Sequence, residues 1–132
     1  MIVFKSEDKG RNWEVLSTPY RGTYFGAETL KDGTLLIFGL RGRVYRSADG
    51  GQTWKQIHVD TTSGLQTGLQ LRDGTVVIAG LSGAVLLSSD GGETFLTANR
   101  PDRLGISSLI ELESGGVLLV GEEGIHRVDS LQ

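Results

Sequence analysis

The chain has 132 residues, which is enough for one domain with its own hydrophobic core. With 38% hydrophobic and 22% charged residues it has the composition of a folded globular protein, and its formal net charge of −3 argues against a general nucleic-acid binder. The absence of cysteine excludes disulfides, a thiol nucleophile and thiolate metal sites. Twenty glycines against two prolines predict many tight turns.

The first segment of the chain contains a turn motif that recurs. SEDKGRNW at residues 6–13 returns as SADGGQTW at 47–54 and as SSDGGETF at 88–95, with a spacing of 41 residues each time. The Ser and Asp of each copy can accept hydrogen bonds from their own turn, and the glycines permit positive φ. The aromatic residue is predicted to pack between neighbouring sheets. The motif residues are Ser6, Asp8, Gly10 and Trp13; Ser47, Asp49, Gly51, Thr53 and Trp54; and Ser88, Asp90, Gly92, Thr94 and Phe95.

The segments between these turns are predicted to be strands. In the second unit we expect strands at Phe25–Leu30, Thr34–Phe38, Arg43–Ser47 and Thr53–Ile57, separated by the KDG turn, a Gly-x-x-Gly turn and the recurring motif. Four short antiparallel strands every 41 residues are typical of one blade of a β-propeller. The predicted fold is therefore an all-β propeller-type repeat of about three blades that form an incomplete ring. Its units are a half blade (1–16), two blades (17–57 and 58–98) and an incomplete blade (99–132).

The recurring turn resembles the Asp-box, the S-x-D-x-G-x-T-W signature of sialidase-type propellers with bacterial neuraminidase repeats (BNR). Together with the preceding Gly-x-x-Gly, the pattern resembles the C-terminal part of the photosystem II stability/assembly factor family, which has many non-photosynthetic bacterial members. The resemblance implies a role in protein assembly or stabilisation, of which only a binding platform is carried over to this chain. Asn12 departs from the Thr of the motif, and DSLQ (129–132) stands where a fourth box is expected.

A ring of about three blades is too small to close, because closed propellers have four to eight. Residues 2–16 supply the third and fourth strands of a blade and residues 105–129 supply the first three, so two copies that share strands would make a dimer of about six blades. Alternatively, the chain is a piece of a longer propeller. Self-association or another protein partner is therefore expected.

The loops at the end of the blades away from the Asp-boxes are the predicted binding surface. Guanidinium groups pair with carboxylates through two hydrogen bonds, so an arginine- and tyrosine-rich surface would grip a carboxylate-bearing partner or ligand. The alternative is that these arginines only keep polar loops soluble. The candidate binding residues are Tyr20, Arg21, Tyr24, Arg41, Arg43, Arg100 and Arg103.

Sialidase chemistry needs a tyrosine nucleophile, a glutamate that activates it and an aspartic acid as proton donor. Tyr20 or Tyr24, with Glu28 and Asp60, could take these roles, but no spacing supports them and the sialidase start motif is absent. We therefore expect no catalytic residues. The predicted function is a non-catalytic binding or assembly scaffold, and a sialidase-like glycoside hydrolase is the alternative.

Other classes of site lack their sequence signatures. His58 and His126 lie in different repeats without the spacing of zinc ligands, and no DGG segment continues into a calcium loop. No metal, cofactor, nucleic acid or membrane insertion is therefore predicted. The apolar start of the chain is too short for a signal-peptide core, which indicates a cytoplasmic protein, or a periplasmic one if a signal peptide precedes Met1.

Overall fold

The computed structural model describes residues 3–19 and 21–131, which form short strands joined by tight turns. The strands are β1 (Val3–Lys5), β2 (Glu14–Leu16), β3 (Tyr24–Thr29), β4 (Leu35–Gly39), β5 (Val44–Ser47), β6 (Lys55–Ile57), β7 (Leu65–Gln70), β8 (Val76–Gly80), β9 (Val85–Ser88), β10 (Leu96–Thr97), β11 (Ile106–Glu111), β12 (Val117–Gly121) and β13 (Gly124–Val128). Single 3₁₀ turns, Leu40–Gly42 and Leu81–Gly83, follow β4 and β8. None of the helical segments in the described residues has the length and apolar character needed to cross a membrane.

The described strands form four antiparallel sheets in chain order. Sheet 1 contains β1 and β2, sheet 2 contains β3 to β6, sheet 3 contains β7 to β10, and sheet 4 contains β11 to β13. Within each sheet every strand pairs with the next one in the sequence. The prediction of four-stranded antiparallel blades in an incomplete ring is confirmed. The unit boundaries at residues 16, 57 and 98 stay a prediction.

Two turns differ from the expectation. β6 begins at Lys55 instead of Thr53, because the Thr53 backbone N–H donates to the Asp49 carboxylate (2.9 Å) and does not join a strand ladder. The third Gly-x-x-Gly is a two-residue hairpin turn in which Gly121 pairs directly with Gly124. The first two are 3₁₀ turns whose central residues Arg41 and Ser82 have φ values of 60° and 57°.

The hydrophobic core lies between successive sheets. Leu36, Phe38 and Val44 of sheet 2 pack against a set of residues on sheet 3 that includes Val76, Ile78 and Leu86. The other face of sheet 3 packs on sheet 4 through a second cluster, which contains Val77, Ala79, Val85, Leu109, Val117 and Leu119. Because β8 is covered on both faces, all five of its residues are buried, as the continuous apolar run VVIAG predicts.

Phe38 fills the space between sheets 2 and 3 and is fully buried. A Cβ atom on Gly26 would lie 2.5 Å from Phe38 Cε1, and one on Gly68 would lie 3.0 Å from Phe38 Cζ. The ring therefore occupies a slot that exists because the two facing innermost strands each carry a glycine at this level.

Basic side chains tie each sheet to the next one. Lys5 Nζ donates to the carbonyl oxygen of Gly50 (2.8 Å), and Arg46 Nε, 41 residues later, donates to that of Gly91 (3.0 Å). Lys31 Nζ donates to the carbonyl oxygens of Leu71 and Arg72 in the next sheet. Each of these cations holds the backbone of a turn in the following sheet, a role that the sequence analysis did not assign to them.

Candidate binding face

The Asp-boxes form one hydrogen-bonded turn repeated at one end of the sheets, here named the box face. In the second box, Ser47 Oγ accepts from the Gly51 N–H (2.9 Å) and donates to Asp49 Oδ1 (2.8 Å). The other Asp49 oxygen accepts from the Thr53 hydroxyl. The third box repeats these bonds with Ser88, Asp90, Gly92 and Thr94. The Ser, Asp and Thr side chains of this motif are engaged within their own turn, so the motif closes a hairpin, while the buried Trp54 Nε1 has no hydrogen-bond partner in the described residues.

The first box keeps this geometry despite its departures from the motif. Asn12 Nδ2 donates to Asp8 Oδ2 (2.6 Å) in place of the Thr hydroxyl. Lys9 takes a left-handed conformation (φ 62°) where the other boxes have glycine. The aromatic residues differ in environment, since Phe95 packs against the core whereas Trp13 is 61% exposed and donates from Nε1 to the Gly10 carbonyl oxygen.

The hydrogen bonds of the box aspartates predict that acid destabilises the folded chain. Hydrogen bonds from the Thr53 hydroxyl, the Thr53 backbone N–H and the Ser47 hydroxyl lower the pKa of Asp49 from 3.8 to about 2. Equivalent hydrogen bonds lower the pKa of Asp90 and of Asp8 to about 2. Because the folded-state pKa lies below the unfolded one, the stabilisation is present above about pH 4 and is lost as pH falls toward about 2. Urea unfolding midpoints should therefore decrease over this interval, and less steeply for Asp49→Asn.

The matched control is Glu113→Gln, which removes an exposed carboxylate outside the boxes. It should leave the acid dependence of the unfolding midpoint close to that of the unmodified chain. An acid dependence that Asp49→Asn and Glu113→Gln change equally would contradict the role given to the box hydrogen bonds.

The opposite end of the sheets, here named the upper face, comprises the Gly-x-x-Gly turns and the loops that lead into β3, β7 and β11. The N–H groups of Leu40, Leu81 and Glu122 donate to the carbonyl oxygens of Thr23, Gly64 and Gly105, again at intervals of 41 residues. These bonds attach each turn to the loop of its own sheet. In addition, a Cβ on Gly42 would lie 2.2 Å from the Thr61 carbonyl oxygen, so the turn also abuts the loop of the next sheet.

A β-bulge begins each innermost strand on the upper face. Tyr24 pairs with Gly39 and Gly26 with Phe38, which leaves Phe25 as the extra residue. The same shift leaves Gln66 extra in β7 and Ser107 extra in β11. Bulges redirect a side chain out of the alternation of a strand and are frequent beside binding sites. Three bulged residues therefore line the upper face at equivalent positions.

An exposed apolar ledge lies beside these bulges. Phe25 Cε2 of sheet 2 and Leu81 Cδ1 of sheet 3 lie 3.4 and 3.3 Å from the Cβ position of Gly64. The phenyl ring and the leucine side chain therefore meet at Gly64, in the loop that leads into β7. Leu40, at the equivalent position to Leu81, is also exposed. The apolar ledge, defined as Phe25, Leu40 and Leu81, was missed by the sequence analysis. Its signal was an apolar residue directly after the first glycine in GLRG and GLSG.

The predicted binding residues lie on the upper face, apart from Tyr20, which lies outside the described residues. Arg41 and Arg103 are exposed and both have positive φ (60° and 55°). Arg100 is half-buried, and its guanidinium lies 3.4 Å from the Asp102 carboxylate. The ring of Tyr24 packs edge-on against Tyr45, with centroids 6.3 Å apart. The remaining two are exposed Arg21 and half-buried Arg43.

These residues do not form one cluster. Arg41 lies on the turn of sheet 2, whereas Arg100 and Arg103 lie in the loop before β11, where a Cβ on Gly83 would meet Arg103 Cα at 2.9 Å. Cavities of about 350 and 360 Å³ lie away from this face, one beside the first box and one beside β10. The upper face thus offers separate cations and an apolar ledge, which suits an extended segment more than a small molecule.

A family model described as the BNR/Asp-box repeat matches residues 45–56. The chain carries a BNR/Asp-box repeat. The match covers the second box and most of the strands on either side of it. The hydrogen bonds within this box are repeated in the other two boxes. No curated protein matches the sequence.

Solved structures similar to this chain include two YCF48 proteins and an ancestral GH74 enzyme. YCF48 bound to D1 peptide has a TM-score of 0.65 at 16% identity, covering 97% of this chain and 43% of that one. YCF48 from Cyanidioschyzon merolae has a TM-score of 0.62 at 16% identity, with coverages of 96% and 45%. The GH74 enzyme has a TM-score of 0.79 at 13% identity, with coverages of 97% and 20%.

This chain therefore spans less than half the length of each of these structures. Identities of this size show the fold alone. They confirm the predicted propeller fold, and the repeat match confirms the resemblance to Asp-box propellers. The choice of binding residues stays a prediction.

Proposed function

We propose that the chain is a non-catalytic binding scaffold that docks a protein segment on its upper face. The observation that carries this proposal is the apolar ledge of Phe25, Leu40 and Leu81, exposed at the end of the sheets and accompanied by exposed arginines. An apolar anchor contributes affinity, and a guanidinium beside it selects a carboxylate. The fold shared with YCF48 bound to D1 peptide supports a peptide as the kind of partner.

The peptide carboxylate should make a measurable difference to binding. We expect labelled peptides that end in an apolar residue with a free carboxylate to bind more tightly than the same peptides with an amidated end. Because a hydrogen bond to a charged group is worth about 1.5–3 kcal/mol, Arg41→Glu should weaken binding about tenfold or more. Fluorescence anisotropy titrations with a panel of such peptide pairs measure both effects.

Lys9→Glu provides the matched control. Lys9 is an exposed cation with φ 62°, close to the 60° of Arg41, but it lies on the box face. The change in charge and the backbone strain are therefore the same at both sites, and Lys9→Glu should leave peptide affinity unchanged. Equal affinity for free and amidated peptides, or equal effects of the two variants, would remove the arginine part of the proposal.

A glycoside hydrolase is the second candidate, favoured by the similarity to the GH74 enzyme. Burial on β3 raises the pKa of Glu28, as a proton-transferring carboxyl would require. Asp60, however, is exposed and pairs with His58 at 3.1 Å in the loop before β7. A panel of glycosides distinguishes the two functions. Hydrolysis that is abolished by Glu28→Gln or Tyr24→Phe would overturn the scaffold proposal.

We also propose a second copy of the chain as a protein partner. Both outer sheets carry exposed apolar side chains, which indicate an interaction surface. The dimer of about six blades expected from shared strands stays a proposal. In the structure β2 already pairs with β1 along its whole length.

A further inference from the structure

The two outermost sheets expose apolar side chains on the faces that point away from the rest of the chain. In sheet 1, Lys5 and Leu16 lie against Gly50 and Gly51 of sheet 2. The cross-strand partners Phe4 and Val15 therefore lie on the opposite face, where they are 57% and 63% exposed. We name this surface the head face. Nothing in the described part of the chain covers it.

Sheet 4 has a matching surface. Its inner face packs on sheet 3 through Leu109, Val117 and Leu119. The opposite face contains Ile110, which is 51% exposed, and Ile125, which is 68% exposed, with their strand partners Leu118 and Val120. We name this surface the tail face. On the corresponding face of sheet 3, Val77, Ala79, Val85 and Leu87 are buried against sheet 4, whereas Leu96 on β10 stays exposed, so the apolar centre of the tail face resembles a surface that is buried elsewhere in the same chain.

The tail face also carries a cation, Arg127, at a position whose equivalent in sheet 2 contacts the next sheet. Arg46 pairs across strands with Leu36, and Arg127 pairs with Leu118, which is two repeats from Leu36. Arg46 donates to the carbonyl oxygen of Gly91 in the box of the following sheet. Arg127 donates to Ser114 Oγ within its own sheet (3.2 Å), and its position matches that from which Arg46 reaches the box of the next sheet. In a second copy, the residue equivalent to Gly50 and Gly91 is Lys9.

We propose that the tail face of one copy packs on the head face of a second copy and continues the stacking of sheets within the chain. This inference rests on the self-association proposed above and is independent of peptide binding on the upper face. The contact is head to tail, since it joins two different surfaces. Such a contact closes into a ring or extends as a filament, depending on the rotation between copies. Because β1 and β2 stay paired, two copies stacked in this way would bring eight described sheets together, in place of the six blades expected from shared strands, and eight is within the range for closed propellers.

Complementary variants test the head-to-tail contact. Ile125→Glu places a charge on the tail face and Phe4→Glu places one on the head face, both at exposed positions where a charge stays hydrated in the folded monomer. Light scattering after gel filtration should give each variant alone the monomer mass of 14.2 kDa. An equimolar mixture should regain a species of twice that mass, because each variant keeps the face that the other lacks. The unmodified chain should form this species or larger ones.

Leu40→Glu is the control, because it changes an exposed leucine of the upper face and neither the head face nor the tail face. This variant should have the same mass in solution as the unmodified chain. Circular dichroism confirms that every variant retains its strands. An unmodified chain that stays at 14.2 kDa at hundreds of micromolar would overturn the proposal. So would a mixture of the two variants that remains monomeric, or a Phe4→Glu variant that associates as well as the unmodified chain. Peptide binding to the upper face is unaffected by any of these outcomes.

Discussion

Phe38→Ala is expected to lower the free energy of unfolding by about 3–5 kcal/mol, the range for removal of a buried aromatic ring. The ring is fully buried between sheets 2 and 3, in the cluster that also holds Leu36 and Ile78. Its removal leaves a cavity between two sheets, and the strands on both sides are held by ladders that limit their collapse. Urea denaturation followed by circular dichroism measures the change.

The control for this substitution is Phe25→Ala, which removes a 41% exposed ring of the same type from the upper face. It should lower the free energy of unfolding by much less. A second test uses the glycine slot, because Gly26→Ala should clash with Phe38 while Gly26→Ala combined with Phe38→Leu should relieve part of that clash. Strictly additive effects in this pair would contradict the packing described between Gly26 and the ring.

Gly80→Ala is expected to be among the most damaging of the glycine substitutions on the upper face. A Cβ at Gly80 would lie 2.0 Å from the Gly64 carbonyl oxygen and 2.8 Å from Leu65 Cα, both backbone atoms. The strand and the turn cannot move apart without breaking the Leu81 N–H bond to Gly64. The loss should therefore exceed the range of about 1–3 kcal/mol that is typical of overpacked cores.

Gly74→Ala separates this steric effect from backbone strain. Gly74 has φ 95° with nothing within 4 Å of its Cβ position, whereas the φ of Gly80 is −172°, which any residue can adopt. Gly74→Ala should therefore lose only the roughly 1–2 kcal/mol of a left-handed residue. Thermal unfolding of the two variants gives the comparison. If the Gly80→Ala variant is as stable as the Gly74→Ala variant, the described close approach between Gly80 and the Gly64 carbonyl oxygen is wrong.

Much of the fold follows from features visible along the chain. The 41-residue spacing, the box turns and the continuous apolar run VVIAG predict the four-stranded sheets because each depends on local hydrogen bonding or strand periodicity. The shorter third turn was not predicted. GEEG has the same glycine spacing as GLRG, yet Gly121 pairs with Gly124 directly, since the choice between the two turns depends on the register of the flanking strands.

The binding face was less visible in the sequence because it depends on contacts between repeats. The sequence pattern predicts Phe25 as the first residue of a strand, and only the paired registers of β3 and β4 show that it is bulged. Lys5 and Arg46 were unassigned, since their acceptors Gly50 and Gly91 lie 45 residues away. Arginines in polar loops have the same composition whether or not they bind a partner, which is why sequence alone left both interpretations open.

The central claim is that the upper face, and not the box face, binds a protein segment. Mapping backbone amide NMR shifts during titration with a carboxylate-ending peptide tests it most directly. We expect the largest changes at the bulged residues Phe25, Gln66 and Ser107 and at the turns after β4 and β8, with the box glycines unchanged. Changes centred on the boxes around Asp49 and Asp90, or no changes with any peptide of the panel, would contradict the account.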